Sequence, residues 1–242
     1  MFLIPQVEIK VTKRQGRGVF ATRDIPAGTV IGDYLGMIVR TEDEGTEGEH
    51  FYSMYYSDKA TIEPDPLVPG IHLLNHSCAA NCGMYTLKRR CIYVALRKIH
   101  KGEELTIHYA LPAPNEEDCD PCEHECHCGA PLCTGTMHLS DQYYQKWVKY
   151  VEKGEVGPEI PASGYGKPLP PLEKYPATLP DAKIFNIYVN LKVSPQKCTQ
   201  AQLPTMRELR KMLRESGRRI AFTKLKLVVE GIVYERIIGT RA

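Results

Sequence analysis

The sequence predicts a mostly-β protein with some α-helix, followed by a Pro-rich linker and a small α+β C-terminal unit. Three observations support this fold class. Residues 7–109 consist largely of short β-prone runs between Gly and Pro turns, residues 155–182 are crowded with proline, and residues 183–242 mix strand-like and helix-like patterns. The chain has 242 residues, of which 43% are hydrophobic, so it can bury a sizeable core.

The predicted strands follow one another from the N-terminal end. The first three β-prone runs read VEIKV, GVFA and TVIGDYLGMIV, and the turn DIPAG separates the last two. After a polar loop, FYSMYYS and ATIEP predict further strands. The segment RCIYVALRKIHKGEELTIHYA predicts two more strands, joined by a turn at Lys101 and Gly102. These runs predict a β-rich first domain.

A helix and a Pro-rich segment are predicted to follow. SDQYYQKWVKYVEKG has the apolar spacing of a helix, with Ser140 as its cap and Gly154 as its stop. Residues 155–182 contain seven prolines and three glycines without periodicity. Such a composition is typical of an extended linker or of an arm that wraps the surface, and we place a domain boundary there.

The last part of the chain predicts a small basic α+β unit. KIFNIYVNLKV is strand-like, residues 204–217 predict a helix that begins at Pro204 and ends at Gly217, and IAFTKLKLVVEGIVYERIIG predicts a hairpin. The helix could be a solvated surface, or it could bind nucleic acid or an acidic protein. Its basic residues and those at its exit are Arg207, Arg210, Lys211, Arg214, Arg218 and Arg219.

Charge is distributed unevenly along the chain. Residues 1–182 hold 18 Lys and Arg against 25 Asp and Glu, whereas residues 183–242 hold 13 against 4. An acidic surface attracts cationic substrates, and a basic one attracts phosphate or acidic protein. The two parts therefore favour different partners.

Cysteine usage indicates a reduced compartment and a metal site. The nine cysteines are odd in number, and five of them lie between Cys119 and Cys133. The opening MFLIPQVEIKVTKRQ lacks the apolar core of a signal peptide, and no apolar run reaches membrane-spanning length. We expect an intracellular protein that contacts no membrane, nuclear in a eukaryote and cytoplasmic in a prokaryote.

The segment CHCGAPLC can direct three thiolates at one centre. Structural zinc takes four ligands in a tetrahedron, so Cys126, Cys128 and Cys133 leave one position to fill. A distant candidate is Cys78 in the segment LLNHSCAANC. The local candidates are Cys119, Cys122, His124, His127 and His138.

Four motifs in series resemble the SET domain of protein lysine methyltransferases with its zinc-binding post-SET tail. They are GRGVFATRDIPAGTVIGDYLG, LLNHSCAANC, KGEELTIHYA and CHCGAPLCTG, and the resemblance covers about residues 5–140. It implies a SET-type β-fold with a knot-like core in residues 1–118 and a post-SET zinc-binding segment in residues 119–140. Residues 141–182 are then the helix and Pro-rich linker and residues 183–242 the small basic unit, and the resemblance implies nothing about residues 155–242.

The resemblance implies S-adenosyl-L-methionine as the cofactor. Asn75 and His76 would contact it from the threaded segment, and the Gly-rich turn of Gly16, Arg17 and Gly18 would meet its methionine end. The family usually has an aromatic residue where Arg17 stands, a departure that a backbone contact tolerates. Met137 and His138 fall where the family often covers the adenine.

The resemblance also implies the substrate channel and the metal ligands. Tyr109 would face the transferring methyl group as a catalytic and cofactor-contacting residue, while Tyr34 would be catalytic and line the lysine channel. Ile107 stands where the family often has Phe or Tyr, which leaves room for a methylated amine and favours di- or trimethylation. The family's usual CxPNC reads CAANC here, so Asn81 is kept and the proline is lost. Cys78 would complete a structural zinc site with Cys126, Cys128 and Cys133.

The chemistry suits these residue types. Lysine has a pKa of about 10.4 and must lose its proton before its nitrogen can attack a sulfonium methyl group. A desolvated channel lowers that pKa, and neutral tyrosine hydroxyls orient the amine without forming an ion pair. No acid/base dyad, nucleophilic cysteine or catalytic metal is required.

Three functions compete at this point. The first is a protein-lysine N-methyltransferase that modifies a lysine in a histone-like or other basic protein. The second is a catalytically inactive SET-like module that binds protein or nucleic acid through its zinc tail and basic C-terminal unit. Keeping Asn75, His76, Tyr34 and Tyr109 together argues against it. The third, a zinc-ribbon nucleic-acid binder, explains the cysteine cluster but not the preceding motifs.

Overall fold

A computed structural model describes most of the first part of the chain. The predicted helix at 140–154, the basic unit at 183–242 and Cys119 lie outside the described residues, and among those described no helix is long and apolar enough to cross a membrane. The described residues are 1–12, 16–41, 52–57, 59–78, 80–87, 90–109, 111, 122, 124–129, 133, 135–138 and 160–178.

Short strands dominate the described residues, which confirms the mostly-β prediction. They form a four-stranded sheet in the order β1-β2-β10-β7 and two three-stranded sheets in the orders β3-β9-β8 and β4-β6-β5. The strands are β1 (Val7–Val11), β2 (Arg17–Ala21), β3 (Val30–Asp33), β4 (Met37–Arg40), β5 (Met54–Ser57), β6 (Ala60–Glu63), β7 (Asn75–His76), β8 (Cys82–Leu87), β9 (Arg90–Ala95) and β10 (Glu104–Ile107).

One sequence-based expectation about the strands needs correction. The run TVIGDYLGMIV is two strands in different sheets rather than one, and at Gly36, between them, a Cβ would collide with the backbone of Glu63. The strands β9 and β10 flank the predicted turn, in which Gly102 has a φ of 82°, and they belong to different sheets. The sequence analysis also missed β7 and β8.

The hydrophobic core is drawn from all three sheets. Val19 of β2, Ile31 of β3 and Ile62 of β6 are fully buried in one cluster. The two leucines that precede the polar segment NHSC belong to the same cluster, since Leu73 and Leu74 are buried beside it. Burying a leucine side chain contributes about 1.5–3 kcal/mol. The leucines therefore anchor the polar residues that follow them.

Residues 160–178 run along the surface as an arm rather than away from it as a linker. Its Lys167 carbonyl accepts a hydrogen bond from the Ile38 N–H over 3.0 Å, and its Ala177 carbonyl accepts one from the Val30 N–H, also over 3.0 Å. The arm thereby covers the free edges of β4 and β3. Leu169 reaches the core, and Tyr175 donates a hydrogen bond of 2.6 Å to the Asp33 carboxylate.

We expect Leu169→Ala to lower the free energy of unfolding by about 2 kcal/mol, because it removes a buried side chain and leaves a gap where the arm meets the core. Urea denaturation measures the change. Lys174→Ala, an exposed position of the same arm, is the control and should stay within about 0.5 kcal/mol of the original chain. Equal losses of unfolding free energy in the two variants would contradict the packing of this arm against the core.

Candidate active site and metal centre

The candidate active site lies around β10, which is bonded to β2 on one side and to β7 on the other. In the antiparallel pair with β2, Leu105 faces Val19, and in the parallel pair with β7, Ile107 faces His76. The Ser77 N–H also donates to the Ile107 carbonyl over 2.8 Å. Three segments far apart in sequence therefore present their residues within two strand spacings, which is about 10 Å.

The Gly-rich turn and Asn75 meet on one side of this region. The Asn75 side-chain amide donates to the Arg17 carbonyl over 3.1 Å and to the Glu104 carboxylate over 2.8 Å, so its orientation is fixed. A Cβ at Gly18 would collide with that carboxylate and lie 3.0 Å from the Asn75 amide nitrogen. Gly16 has a φ of 69° in the left-handed region, which favours glycine.

The side chain and the backbone of Arg17, the middle residue of this turn, have different partners. The Arg17 guanidinium donates to the Pro66 carbonyl over 2.9 Å at the surface. Its carbonyl, by contrast, receives the Asn75 amide. The backbone of Arg17 and not its side chain is therefore the part that belongs to the candidate site.

His76 connects the candidate active site to the cysteine cluster. Its Nδ1 accepts a hydrogen bond of 3.2 Å from the Tyr109 N–H, so the proton of the neutral ring is on Nε2. That Nε2 lies 3.5 Å from the Cys78 sulfur. Burial lowers the pKa of His76 to about 4, so the ring is neutral at pH 7.

Tyr109 lies beside His76, and Tyr34 is near enough to Tyr109 for the two to interact electrostatically. The Tyr109 hydroxyl donates to the Leu74 carbonyl over 3.3 Å, and the residue keeps 39% of its surface exposed. The Tyr34 hydroxyl donates to the Tyr52 carbonyl. Burial raises the pKa of Tyr109 to about 12 and that of Tyr34 well above its usual value, and each hydroxyl is therefore neutral at pH 7. Ile107 is buried in the neighbouring strand.

Asn81 holds the polar segment against β10. Its side-chain amide donates to the Glu104 carbonyl over 2.7 Å, and its side-chain oxygen accepts from the Thr106 N–H over 2.9 Å. The residue is 2% exposed, so these bonds form away from water. The asparagine retained in CAANC therefore joins this segment to β10 by two hydrogen bonds.

We expect Asn81→Ala to destabilise the fold by at least about 2 kcal/mol, because the variant leaves buried backbone groups of β10 without partners. Thermal and urea denaturation would measure the loss. Asn81→Asp keeps the oxygen that accepts from Thr106 but not the donating amide, so it should be destabilised as well. An Asn81→Ala variant as stable as the original chain would contradict this role.

Four cysteines form a candidate metal centre. The sulfurs of Cys78, Cys126, Cys128 and Cys133 all lie within 4.8 Å of one another, so the structure brings Cys78 to the position that the sequence left open. The Cys78 and Cys126 sulfurs are 3.6 Å apart, close to the roughly 3.8 Å that two thiolates have around tetrahedral zinc with Zn–S bonds of about 2.3 Å.

The backbone supports this cluster. The Gly135 N–H lies 3.5 Å from the Cys133 sulfur and donates to it, and the Cys126 N–H donates to the Gly135 carbonyl over 2.9 Å. Burial and the adjoining thiols of Cys128 and Cys133 raise the pKa of Cys126 to about 12. Such a group of thiols becomes a set of thiolates when a cation neutralises them, so its chemistry fits zinc.

The local candidates for the fourth ligand do not join this cluster where the structure describes them. Cys122, His124 and His138 form a separate group, and the His127 ring lies 3.2 Å from the Glu125 carboxylate. Sequence reasoning also missed Glu104 and Tyr52, which receive the hydrogen bonds of Asn75 and Tyr34. The position of Glu104 in KGEELTIHYA gave no signal beyond its place in a strand.

The fold and these two sites define a β-rich domain that carries a group of polar residues around β10 beside a four-cysteine centre. Residues 16–110 match the SET domain family, and this part of the chain is a SET domain. The chain is 33% identical over 138 residues to histone-lysine N-methyltransferase trr of Drosophila melanogaster, covering 52% of this chain and 6% of the relative.

Two further relatives align over a similar region. The chain is 32% identical over 143 residues to the H3 lysine-36 specific histone-lysine N-methyltransferase of Mycosarcoma maydis, covering 54% of this chain and 14% of the relative. It is 29% identical over 137 residues to histone-lysine N-methyltransferase 2D of Homo sapiens, covering 51% and 2%. The chain thus spans a small fraction of the length of these curated relatives.

Proposed function

We propose that the chain is an S-adenosyl-L-methionine-dependent protein-lysine N-methyltransferase. The observation that carries the proposal is the convergence of Asn75, His76 and Tyr109 with the Gly16–Gly18 turn around one strand, β10. The printed names of the relatives, histone-lysine N-methyltransferases, agree with this activity.

The residues of the Gly-rich turn fit the cofactor. A Cβ at Gly18 would collide with the Glu104 carboxylate and crowd the Asn75 amide, so glycine leaves the backbone of this turn uncovered at this position. Gly16, Arg17 and Gly18 would hold the cofactor through backbone groups, and Asn75 and His76 would contact it from β7. When bound, S-adenosyl-L-methionine supplies a methyl group on a positively charged sulfur.

Tyr109, Tyr34 and Ile107 would form the lysine channel. Burial lowers the pKa of an incoming lysine amine, which favours the neutral amine with a free electron pair, and its proton leaves to water. The hydroxyls of Tyr109 and Tyr34 stay neutral at pH 7, so they orient this nitrogen by hydrogen bonds without forming an ion pair. Ile107 adds no polar group to hold a water molecule, which favours di- or trimethylation.

The four-cysteine centre would hold a structural zinc ion. Cys78, Cys126, Cys128 and Cys133 supply all four ligands of a tetrahedral site, so no position stays open for a substrate. Since Cys78 lies two residues after His76, the metal would fix the segment that also contacts the cofactor.

The charge of residues 1–182 favours a basic substrate. An excess of acidic residues attracts a Lys- and Arg-rich protein tail, and histone-like proteins have this chemistry. Such a substrate would place the protein in the nucleus of a eukaryotic cell. The basic residues 183–242 would bind nucleic acid or an acidic protein face.

The test is mass spectrometry of core histones and other basic proteins incubated with the full chain and S-adenosyl-L-methionine. We expect lysines that gain whole methyl groups, and none in a Gly18→Val control, whose added side chain would collide with the Glu104 carboxylate and displace the Asn75 amide. Cofactor binding by calorimetry accompanies the assay. Absence of both cofactor binding and methyl transfer would instead support the function of a binding module.

A further inference from the structure

We propose that Cys122, His124 and His138 bind a second metal ion, zinc, at a site separate from the four-cysteine centre. One ligand atom from each of these residues lies within 4.8 Å of the others. The ligand set of one thiolate and two imidazoles is borderline-soft and suits Zn²⁺. The proposal rests on this cluster alone and does not depend on methyltransferase activity.

The distances within the cluster match a shared metal ion. The Cys122 sulfur lies 3.4 Å from His138 Nε2. Around tetrahedral zinc with Zn–S of about 2.3 Å and Zn–N of about 2.0–2.1 Å, a sulfur and a nitrogen ligand are about 3.6 Å apart. The spacing is therefore close to that of two ligands on one ion.

The two imidazole rings are oriented for a common centre. The centroids of His124 and His138 are 4.8 Å apart, and their planes are nearly perpendicular at 84°. This edge-to-face arrangement lets both rings direct a nitrogen toward one point without stacking against each other. His138 is buried, whereas Cys122 and His124 are exposed, so an ion could enter from the side of these two residues.

The backbone brings the ligands together from two separate stretches. The Met137 N–H donates to the His124 carbonyl over 2.9 Å, and Glu125 pairs with Thr136 in an antiparallel bridge. His138 itself pairs with Leu111, close to the end of the SET domain. The cluster therefore links the start of the post-SET segment to its end.

This cluster is not an alternative form of the first centre. Cys78, Cys126, Cys128 and Cys133 already provide four thiolates, so the first centre needs no histidine. The described residues give the second site three protein ligands, which leaves its fourth position to water. Its ion would close residues 122–138 into a loop at the Leu111 bridge.

The experiment counts zinc per 242-residue chain by native mass spectrometry and elemental analysis. We expect two zinc ions in the original chain and one in Cys122→Ser and in His124→Ala. His127→Ala is the matched control, because this histidine lies in the same stretch but pairs with Glu125, and it should keep both ions. Cys133→Ser should lose the other ion.

The zinc ion that remains in the variants reports on their folding, since it needs the post-SET segment in place. If His124→Ala loses both ions, the zinc content of Cys122→Ser tests the proposal instead. The Cys122 side chain is exposed, so replacing its thiol leaves no buried gap. A single zinc in the original chain would overturn the proposal. Two zinc ions in both Cys122→Ser and His124→Ala, or copper in place of zinc, would overturn it as well.

Discussion

Tyr109→Phe is expected to lower the turnover number for lysine methylation by on the order of 10²-fold or more. The substitution removes one hydroxyl from a ring that contacts His76 edge to face with a centroid distance of 5.3 Å. That hydroxyl is neutral at pH 7 because burial raises its pKa to about 12, so it can orient a neutral amine. Single-turnover kinetics on a histone peptide would measure the loss.

The control for this experiment is Tyr55→Phe. Tyr55 is an exposed tyrosine on β5, and removing its hydroxyl should leave turnover unchanged. Cofactor affinity should stay the same in both variants, because the backbone N–H of Tyr109, which binds His76, is retained. A Tyr109→Phe variant with the original turnover number would exclude the hydroxyl from the reaction.

Cys128→Ser is expected to release the zinc ion of the four-cysteine centre and to abolish methyl transfer. Structural zinc sites contribute apparent binding energies of about 10 kcal/mol or more, so losing a ligand loosens residues 126–135. The effect reaches the active site because Cys78 contacts His76 Nε2, and His76 Nδ1 receives the Tyr109 N–H. Zinc content, melting temperature and methyl transfer measure the three parts of this prediction.

The matched control is Cys91→Ala, which changes a buried cysteine outside both clusters. The variant should keep its zinc even though the loss of the buried thiol lowers its stability by about 1 kcal/mol. Adding a strong chelator to the original chain should reproduce the loss seen in Cys128→Ser. Full zinc content and full activity in Cys128→Ser would show that this cysteine is not a ligand.

Local signals in the sequence predicted most of the strands but not which strands pair. β1, β2, β5 and β6 coincide with β-prone runs between turn residues, because alternation and Gly or Pro turns act over a few residues. The pairing of β10 with β2 and β7 joins residues many positions apart. Such pairing is decided by burial and backbone hydrogen bonds in the folded chain.

In the candidate site too, the sequence predicted the motif residues but not the residues that they contact. The motif residues Gly18, Asn75, His76 and Tyr109 could be selected from their order along the chain. Their order did not reveal that Glu104 fixes the Asn75 amide or that Tyr52 receives the Tyr34 hydroxyl. These partners are ordinary residue types in strands and loops, and only proximity in space gives them a role.

The amino-acid sequence by itself determined the mostly-β character, the cysteine spacing typical of zinc sites and the SET-like motifs, because each depends on residue type and short spacing. The resemblance implied Cys78 as the fourth thiol, but only the tertiary structure decided how close it lies to the other three and that Cys122, His124 and His138 form another group. It also decided that residues 160–178 lie on β3 and β4. The physical reason is that metal ligation and edge pairing need atoms within a few ångströms, a distance that sequence separation does not specify.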